Sequence, residues 1–160
     1  MDRTEFMQAL ETYWDMVYRV ALNCLGSAAD AEDAVQEVML KFYTHACVKN
    51  KGFDSDAHVK HWLIRVTINV CKSALRTFWR KHRVSLDDLA ETPVFNNYGQ
   101  SELFSEVMAL PEQHRIVLYL YYYEDYGSKE IAALLGLTEN HVRTRLSRAR
   151  NKLKEVWQDE

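Results

Sequence analysis

Two stretches of this sequence repeat cations at helical spacing, with polar groups set among them. In the first, Arg65, Asn69, Lys72, Arg76, Arg80 and Arg83 step by 4, 3, 4, 4 and 3 residues. On a helix these positions share one ridge, basic for about five turns. Lys and Arg in such a row hold the phosphates of a nucleic-acid strand, and Asn69 adds a group able to read a base edge. Trp62, Phe78 and Trp79 belong to the same stretch and offer faces on which unpaired bases stack, although Trp62 suits packing equally well. The second stretch, residues 141–154, carries six Lys and Arg and no acid. Arg donates two hydrogen bonds to a guanine edge, while Asn and Ser reach other base edges. Neighbouring cations suit phosphates.

This is the chemistry of recognition. The sequence has no G-x-S-x-G, no glycine-rich phosphate loop and no H-E-x-x-H, and its six His and three Cys show no ligand spacing. An enzyme, a metal centre and a cofactor are therefore not expected. Cys24, Cys47 and Cys71 are odd in number and form no C-x-x-C. They read as small buried apolar groups in a reducing, cytoplasmic setting. No run of 18 apolar residues occurs, so no membrane span is expected.

Charge is segregated. The net charge of −3 alone would not suggest a polyanionic partner. Yet residues 1–39 hold eight acids against Arg3 and Arg19. Residues 76–83 hold four Lys and Arg and no acid, and residues 84–112 hold six acids and no Lys or Arg. Two basic patches on an acidic background suit a protein that touches a polyanion at two places.

Helices must position these groups. With 5 Gly, 2 Pro and no sustained alternation, an all-α fold is expected. Phe6, Leu10, Tyr13, Val17, Val20 and Cys24 mark a first helix over 5–25, stopped at Gly26. Ser27 caps a second helix reaching about Ala46, with Ala31, Val35, Val38, Phe42 and Ala46 inward. Residues 47–56 read as a loop, and Ser55 or Asp56 caps a third helix to about His82. Residues 84–100 lose periodicity and contain Pro93, Asn96, Asn97 and Gly99. They form an acidic linker between two small helical domains, 1–83 and 101–160.

The second domain contains a helix-turn-helix pattern. Leu110-Pro111-Glu112 starts a helix carrying Ile116, Val117 and Leu120. The Tyr cluster that follows favours packing over base stacking. Ser128 caps a short helix with Ile131, Leu134 and Leu135 inward. Ala132 and Ala133 allow a close crossing, and Gly136-Leu137-Thr138 makes the turn. Thr138 caps the next helix, which buries Val142, Leu146, Ala149, Leu153 and Val156. Thr138, Asn140, His141, Arg143, Thr144, Arg145, Ser147, Arg148 and Lys152 are its candidate duplex-reading groups.

These motifs resemble a known family. Leu110-Pro111…Arg115, Lys129-Glu130-Ile131-Ala132 and the run from Val142 to Arg150 resemble region four of bacterial sigma factors. The run from Asp30 to Glu37 resembles the core-binding motif of region two, and Trp62-Leu63-Ile64-Arg65-Val66…Asn69 resembles its promoter-reading segment. Order and spacing are similar to the extracytoplasmic-function (ECF) group, which keeps only these two domains. Met39 replaces the usual Phe, and Ser73 the usual Asp or Asn. The resemblance implies a sigma factor that docks on core RNA polymerase and directs promoter-specific initiation. Region two would meet the largest subunit's clamp helices through Asp30, Asp33, Gln36, Glu37, Leu40 and Lys41. It would melt and read the −10 element with the ridge, Trp62 and a base pocket at Phe53, Asp54, Ser55 and Asp56. Region four would read the −35 element and meet the flap region. An anti-sigma factor is a further implied partner. The competing reading is a helix-turn-helix regulator independent of polymerase, which leaves the acidic second helix and the long ridge without a purpose.

Overall fold

Asp2 starts the first helix. Its side chain accepts a hydrogen bond from the Glu5 N–H at 2.8 Å, and the Glu5 carboxylate accepts one from the Asp2 N–H at 2.8 Å. This reciprocal box extends α1 to Arg3–Leu25, two residues earlier than the apolar periodicity alone predicts. The structure, a computed structural model, describes residues 1–82 and 102–158, with side chains over 1–77 and 105–155. The predicted linker and Arg83 lie outside the described residues. The chain divides into two compact units, Met1–Val84 and Ser85–Glu160, and the described elements are all helical.

In the first unit α1, α2 (Ala28–Tyr43) and α3 (Asp56–His82) pack pairwise. Val17, Val20, Val35, Val38, Phe42, Leu63, Ile64 and Ile68 form the core; those on α1 and α2 match the inward stripes expected. Phe6, Leu10 and Tyr13 are only half-buried. Gly26, at φ 70°, ends α1 in the left-handed region. Ser27 caps α2 by accepting the Asp30 N–H at 3.3 Å. The second helix departs from expectation: its α-helical pattern stops at Tyr43, and Thr44–Val48 form a π turn. That turn closes with Lys49 N–H to Thr44 O and Lys51 N–H to His45 O, at 2.8 and 3.0 Å, and Asn50 takes φ 48°. Asn tolerates this region better than most residues with a Cβ. Of the two candidate caps for α3, Ser55 serves, accepting the His58 N–H at 3.2 Å.

In the second unit α4 (Glu102–Ala109), α5 (Glu112–Leu118) and α6 (Ser128–Leu135) all pack on α7 (Glu139–Gln158). Pro111 opens α5, its carbonyl accepting from the His114 and Arg115 N–H groups. Arg115 is buried and donates from Nη1 to Met108 O at 3.0 Å. A cation there complements the C-terminal end of α4. A second π turn, Tyr119–Tyr123, follows α5, and Asp125 takes φ 59°. Ser128 does not cap α6. Extended Gly127 holds the cap position and its carbonyl accepts the Ile131 N–H at 3.0 Å, so Ser128 is the first helical residue. Gly136, at φ 69°, makes the turn, and Thr138 caps α7, accepting the His141 N–H at 3.2 Å. Ile131, Leu134, Val142, Leu146 and Ala149 are buried as expected, whereas Leu135 and Leu153 are half-exposed and Ala133 is exposed. The crossing therefore uses Ala132 alone of the alanine pair. Val156 carries no described side chain.

Cys24 and Cys71 are buried and Cys47 half-buried, and none of the three is in a disulfide. Among the described residues no helix is long and apolar enough to cross a membrane.

Phe42 is fully buried, while Leu40 on the same helix is 68% exposed. Phe42→Ala should cost about 3–5 kcal/mol in urea unfolding, and Leu40→Ala less than about 0.5 kcal/mol. A second expectation concerns His114, 5% exposed, with Nδ1 lacking a hydrogen-bond partner among the described residues. Burial, then Lys152, Arg145 and Arg148 on α7, hold its pKa below the ordinary 6.5. The unfolded chain therefore binds this proton first. Its contribution is complete above about pH 6.5 and is lost as pH falls below that. Melting temperatures taken between about pH 7.5 and pH 5.5 should drop less in His114→Leu than in the wild type.

Candidate nucleic-acid interface

The outer face of α2 is set by its inner one. Ala31, Ala34, Val35, Val38 and Phe42 turn into the bundle, which leaves Asp30, Asp33, Gln36, Glu37, Leu40 and Lys41 exposed. Tyr43, 48% exposed, extends this face one turn beyond Leu40. The sequence reading missed Tyr43 because it lies where α2 changes pitch. Its ring meets Phe6 of α1 edge-on at 5.3 Å.

The loop before α3 is built on an aromatic cluster. Phe53 lies 6.0 Å from Phe42, 5.3 Å from His45, 5.1 Å from His58 and 5.8 Å from Trp62, between ring centroids. Trp62 also packs on Phe42 at 5.9 Å and on His45 at 4.7 Å. Its ring is thus packed within the cluster, half-buried, with one part left to solvent. Burial, followed by Lys51, Lys49 and His58, lowers the His45 pKa, which favours a neutral ring within the cluster. Asp54, Ser55 and Asp56 are exposed, but their polar atoms are not equivalent. The Asp54 N–H donates to His58 Nδ1 at 3.1 Å, and the Ser55 hydroxyl is occupied by the helix cap. The Asp56 carbonyl accepts from the Tyr13 hydroxyl at 3.3 Å. An open groove of about 510 Å³ runs between this loop and α1, where Glu5, Gln8, Thr12 and Tyr13 form the facing wall. The loop composition pointed to one wall; the wall from α1, some forty residues away in sequence, is visible only in the fold.

Along α3 the buried residues Leu63, Ile64, Thr67, Ile68 and Cys71 occupy one side. The Thr67 hydroxyl, with no water to meet, donates to Leu63 O at 2.6 Å. Arg65, Asn69, Lys72 and Arg76 are exposed on the opposite side, as one ridge. Arg80 follows on the same helix; Arg83 lies outside the described residues.

On α7 the buried stripe Val142, Leu146 and Ala149 places Asn140, Thr144 and Ser147 on the outward side, at 100° per residue. Cations flank this polar strip on both sides. Arg143 and Arg150 lie on one, and His141, Arg145, Arg148 and Lys152 on the other. Arg143 is tied to Glu139 by a 2.6 Å ion pair within the exposed helix surface. The Thr138 hydroxyl holds the helix cap by accepting the His141 N–H, and its residue is exposed at the helix start. Strip and flanks match what a major groove presents: base edges on the floor, phosphates along the walls.

Comparison with known proteins gives the same two divisions. The family description "Sigma-70 region 2" matches residues 9–81, and "Sigma-70, region 4" matches residues 102–153. The ECF RNA polymerase sigma factor SigM of Mycobacterium tuberculosis is 30% identical over 156 residues, covering 95% of this chain and 76% of that one. SigM of Bacillus subtilis, another ECF RNA polymerase sigma factor, is 30% identical over 158 residues, covering 92% and 91%. Among solved structures, the sigma factor RpoE of Bartonella quintana, crystallised with the anti-sigma factor NepR, shares the fold. Its TM-score is 0.76 at 24% identity, over 96% of this chain and 97% of that one. With two region matches in order and curated relatives aligned over nearly the whole chain, this protein belongs to the ECF sigma factors of the sigma-70 family.

Proposed function

We propose that this sigma factor divides promoter recognition between its two units while α2 holds it on core RNA polymerase. Membership of the family makes it a factor that binds core RNA polymerase and directs promoter-specific initiation. The residue assignments are the proposal. Asp30, Asp33, Gln36, Glu37, Leu40 and Lys41 form the docking face for the clamp helices of the largest subunit, with Leu40 its apolar centre and the charges guiding approach. The −10 element is opened along Arg65, Asn69, Lys72, Arg76, Arg80 and Arg83, which hold phosphates of one strand. An extruded base enters the groove beside Phe53, Asp54, Ser55 and Asp56, as in other proteins that take a base out of the stack. Trp62 supports this loop from below. The −35 element is read by Asn140, Thr144 and Ser147, with His141, Arg143, Arg145, Arg148 and Lys152 on phosphates and Thr138 fixing the helix start. The flap region holds the second unit. An anti-sigma factor completes the set of partners, and α2, with its exposed apolar groups, is a surface such an inhibitor would cover.

The observation that carries this reading is the pairing, on α3 and again on α7, of a fully buried stripe with an opposing exposed row of cations and amides. Reconstituted holoenzyme should start transcripts from a defined set of promoters in fragmented host DNA, read by sequencing. If no promoter is used while the free protein binds an operator tightly, the chain is a polymerase-independent regulator instead.

Two variants separate the roles. Glu37→Lys with Leu40→Arg should weaken co-purification with core polymerase by at least about tenfold, since losing one desolvated contact of this type costs 1–3 kcal/mol. Melting curves should stay close to wild type. Arg65→Glu with Lys72→Glu should leave polymerase binding intact and abolish open-complex formation, scored by permanganate reactivity of unpaired thymines. Wild-type melting by that double variant would remove the ridge from the account.

A further inference from the structure

Arg150 belongs by sequence to the basic run of α7, yet its guanidinium does not project freely. Its Nε donates to the Tyr122 hydroxyl at 2.5 Å. The guanidinium carbon lies 5.4 Å from the Tyr122 ring centroid and 5.4 Å from that of Tyr121. The two rings meet edge to face at 4.9 Å, so the cation occupies the corner between them. Both tyrosines belong to the π turn after α5, and Tyr122 is 28 residues away in sequence from Arg150. That turn is itself braced. Tyr119 stacks on Tyr123 at 5.2 Å and donates its hydroxyl to the Glu124 carboxylate at 2.6 Å.

We infer that Arg150, Tyr121 and Tyr122 form a strut that sets the pose of α7 for −35 reading, and that Arg150 is a positioning residue rather than a phosphate ligand. The inference rests on the proposed −35 role of the second unit. An arginine fork suits this place because it can donate in its plane and lie across a ring at once. A lysine supplies the charge without that fork. Arg143 on the same flank also has a partner, Glu139, but in an exposed contact along the helix surface. Phosphate neutralisation then falls to Arg143, Arg145, Arg148 and Lys152, with His141. A charged donor over two rings at the rear of the helix fixes its rotation, and a small rotation there displaces every base-reading group further forward.

The test uses holoenzyme on a promoter recovered by the transcript sequencing above, with affinity measured across a salt series. Each lost phosphate contact lowers the slope of log affinity against log salt by about 0.9. Arg148→Gln should lower it by that amount. Arg150→Gln should weaken binding about tenfold at every salt concentration, slope unchanged, as expected for losing one charged hydrogen bond. Arg150→Lys should behave like Arg150→Gln, and preference for the intact −35 element over a scrambled one should fall in both. In the free full-length chain, the Arg150 Nε–H should exchange slowly by NMR, and Tyr122→Phe should abolish that protection. A slope lowered by about 0.9 in Arg150→Gln with full rescue by lysine would make Arg150 a phosphate ligand and overturn the strut. Rapid exchange of the wild-type Nε–H would overturn it without touching the −35 reading. Failure of wild-type holoenzyme to distinguish the scrambled element would remove the −35 reading, and this inference with it.

Discussion

Burial of a single stripe on α3 and on α7 governs what the rest of the molecule can do. Each helix has only one circumference, and in each one stripe of it is committed to apolar packing: Leu63, Ile64 and Ile68 on α3, Val142, Leu146 and Ala149 on α7. The opposite side is therefore held at a fixed angle to the core, and whatever side chains it carries are presented as a rigid row. A cationic row on a free helix would splay by self-repulsion, and its helix would be marginal in water. Packing against two or three neighbours removes that freedom. The exposed cations and amides gain order from the residues buried behind them.

The same economy of design recurs where helices end. Both units turn the chain toward a functional helix through a π turn and a left-handed residue, Thr44–Val48 with Asn50 and Tyr119–Tyr123 with Asp125. A π turn widens the helix by one residue and shifts the side chains beyond it out of the α-helical register. In the first unit that shift brings His45 against Trp62 and Phe53, so the loop before α3 is seated on aromatic surface. In the second it presents Tyr121 and Tyr122 to Arg150. Loops with few apolar contacts are the first parts of a fold to open; these two are anchored at their entrances.

What the sequence revealed follows from which forces are local. The helical stripes, Gly26, the Ser27 cap, the Thr138 cap and the basic ridge were legible because each depends on residues within a turn or two of one another. The pattern reading failed where distant segments decide. It placed the second helix as uninterrupted to Ala46, since Ala46 is indeed buried, but the pitch change at Tyr43 leaves no period of its own. It gave Ser128 a cap that Gly127 provides through extended backbone. The α1 wall of the groove and the Arg150–Tyr122 bond have no sequence signal, because neither spacing nor composition states which turns meet in space.

The segregation of charge has a consequence for how such a protein tells promoter from bulk DNA. Phosphate attraction is blind to sequence and grows with every exposed cation. Here the acids of residues 1–39 lie mainly on α1 and α2, the helices that pack beside the α3 ridge, and they reduce the field that any duplex meets at a distance. At contact the balance changes. Attraction between exposed charges is largely screened beyond a Debye length, about 8 Å at physiological salt, so a strand laid along Arg65, Lys72 and Arg76 would feel the cations it touches more than any acid further off than that. The arrangement weakens loose encounters more than seated ones. A chain of net charge −3 can then hold a polyanion tightly in one geometry while taking little from the competing duplex around it.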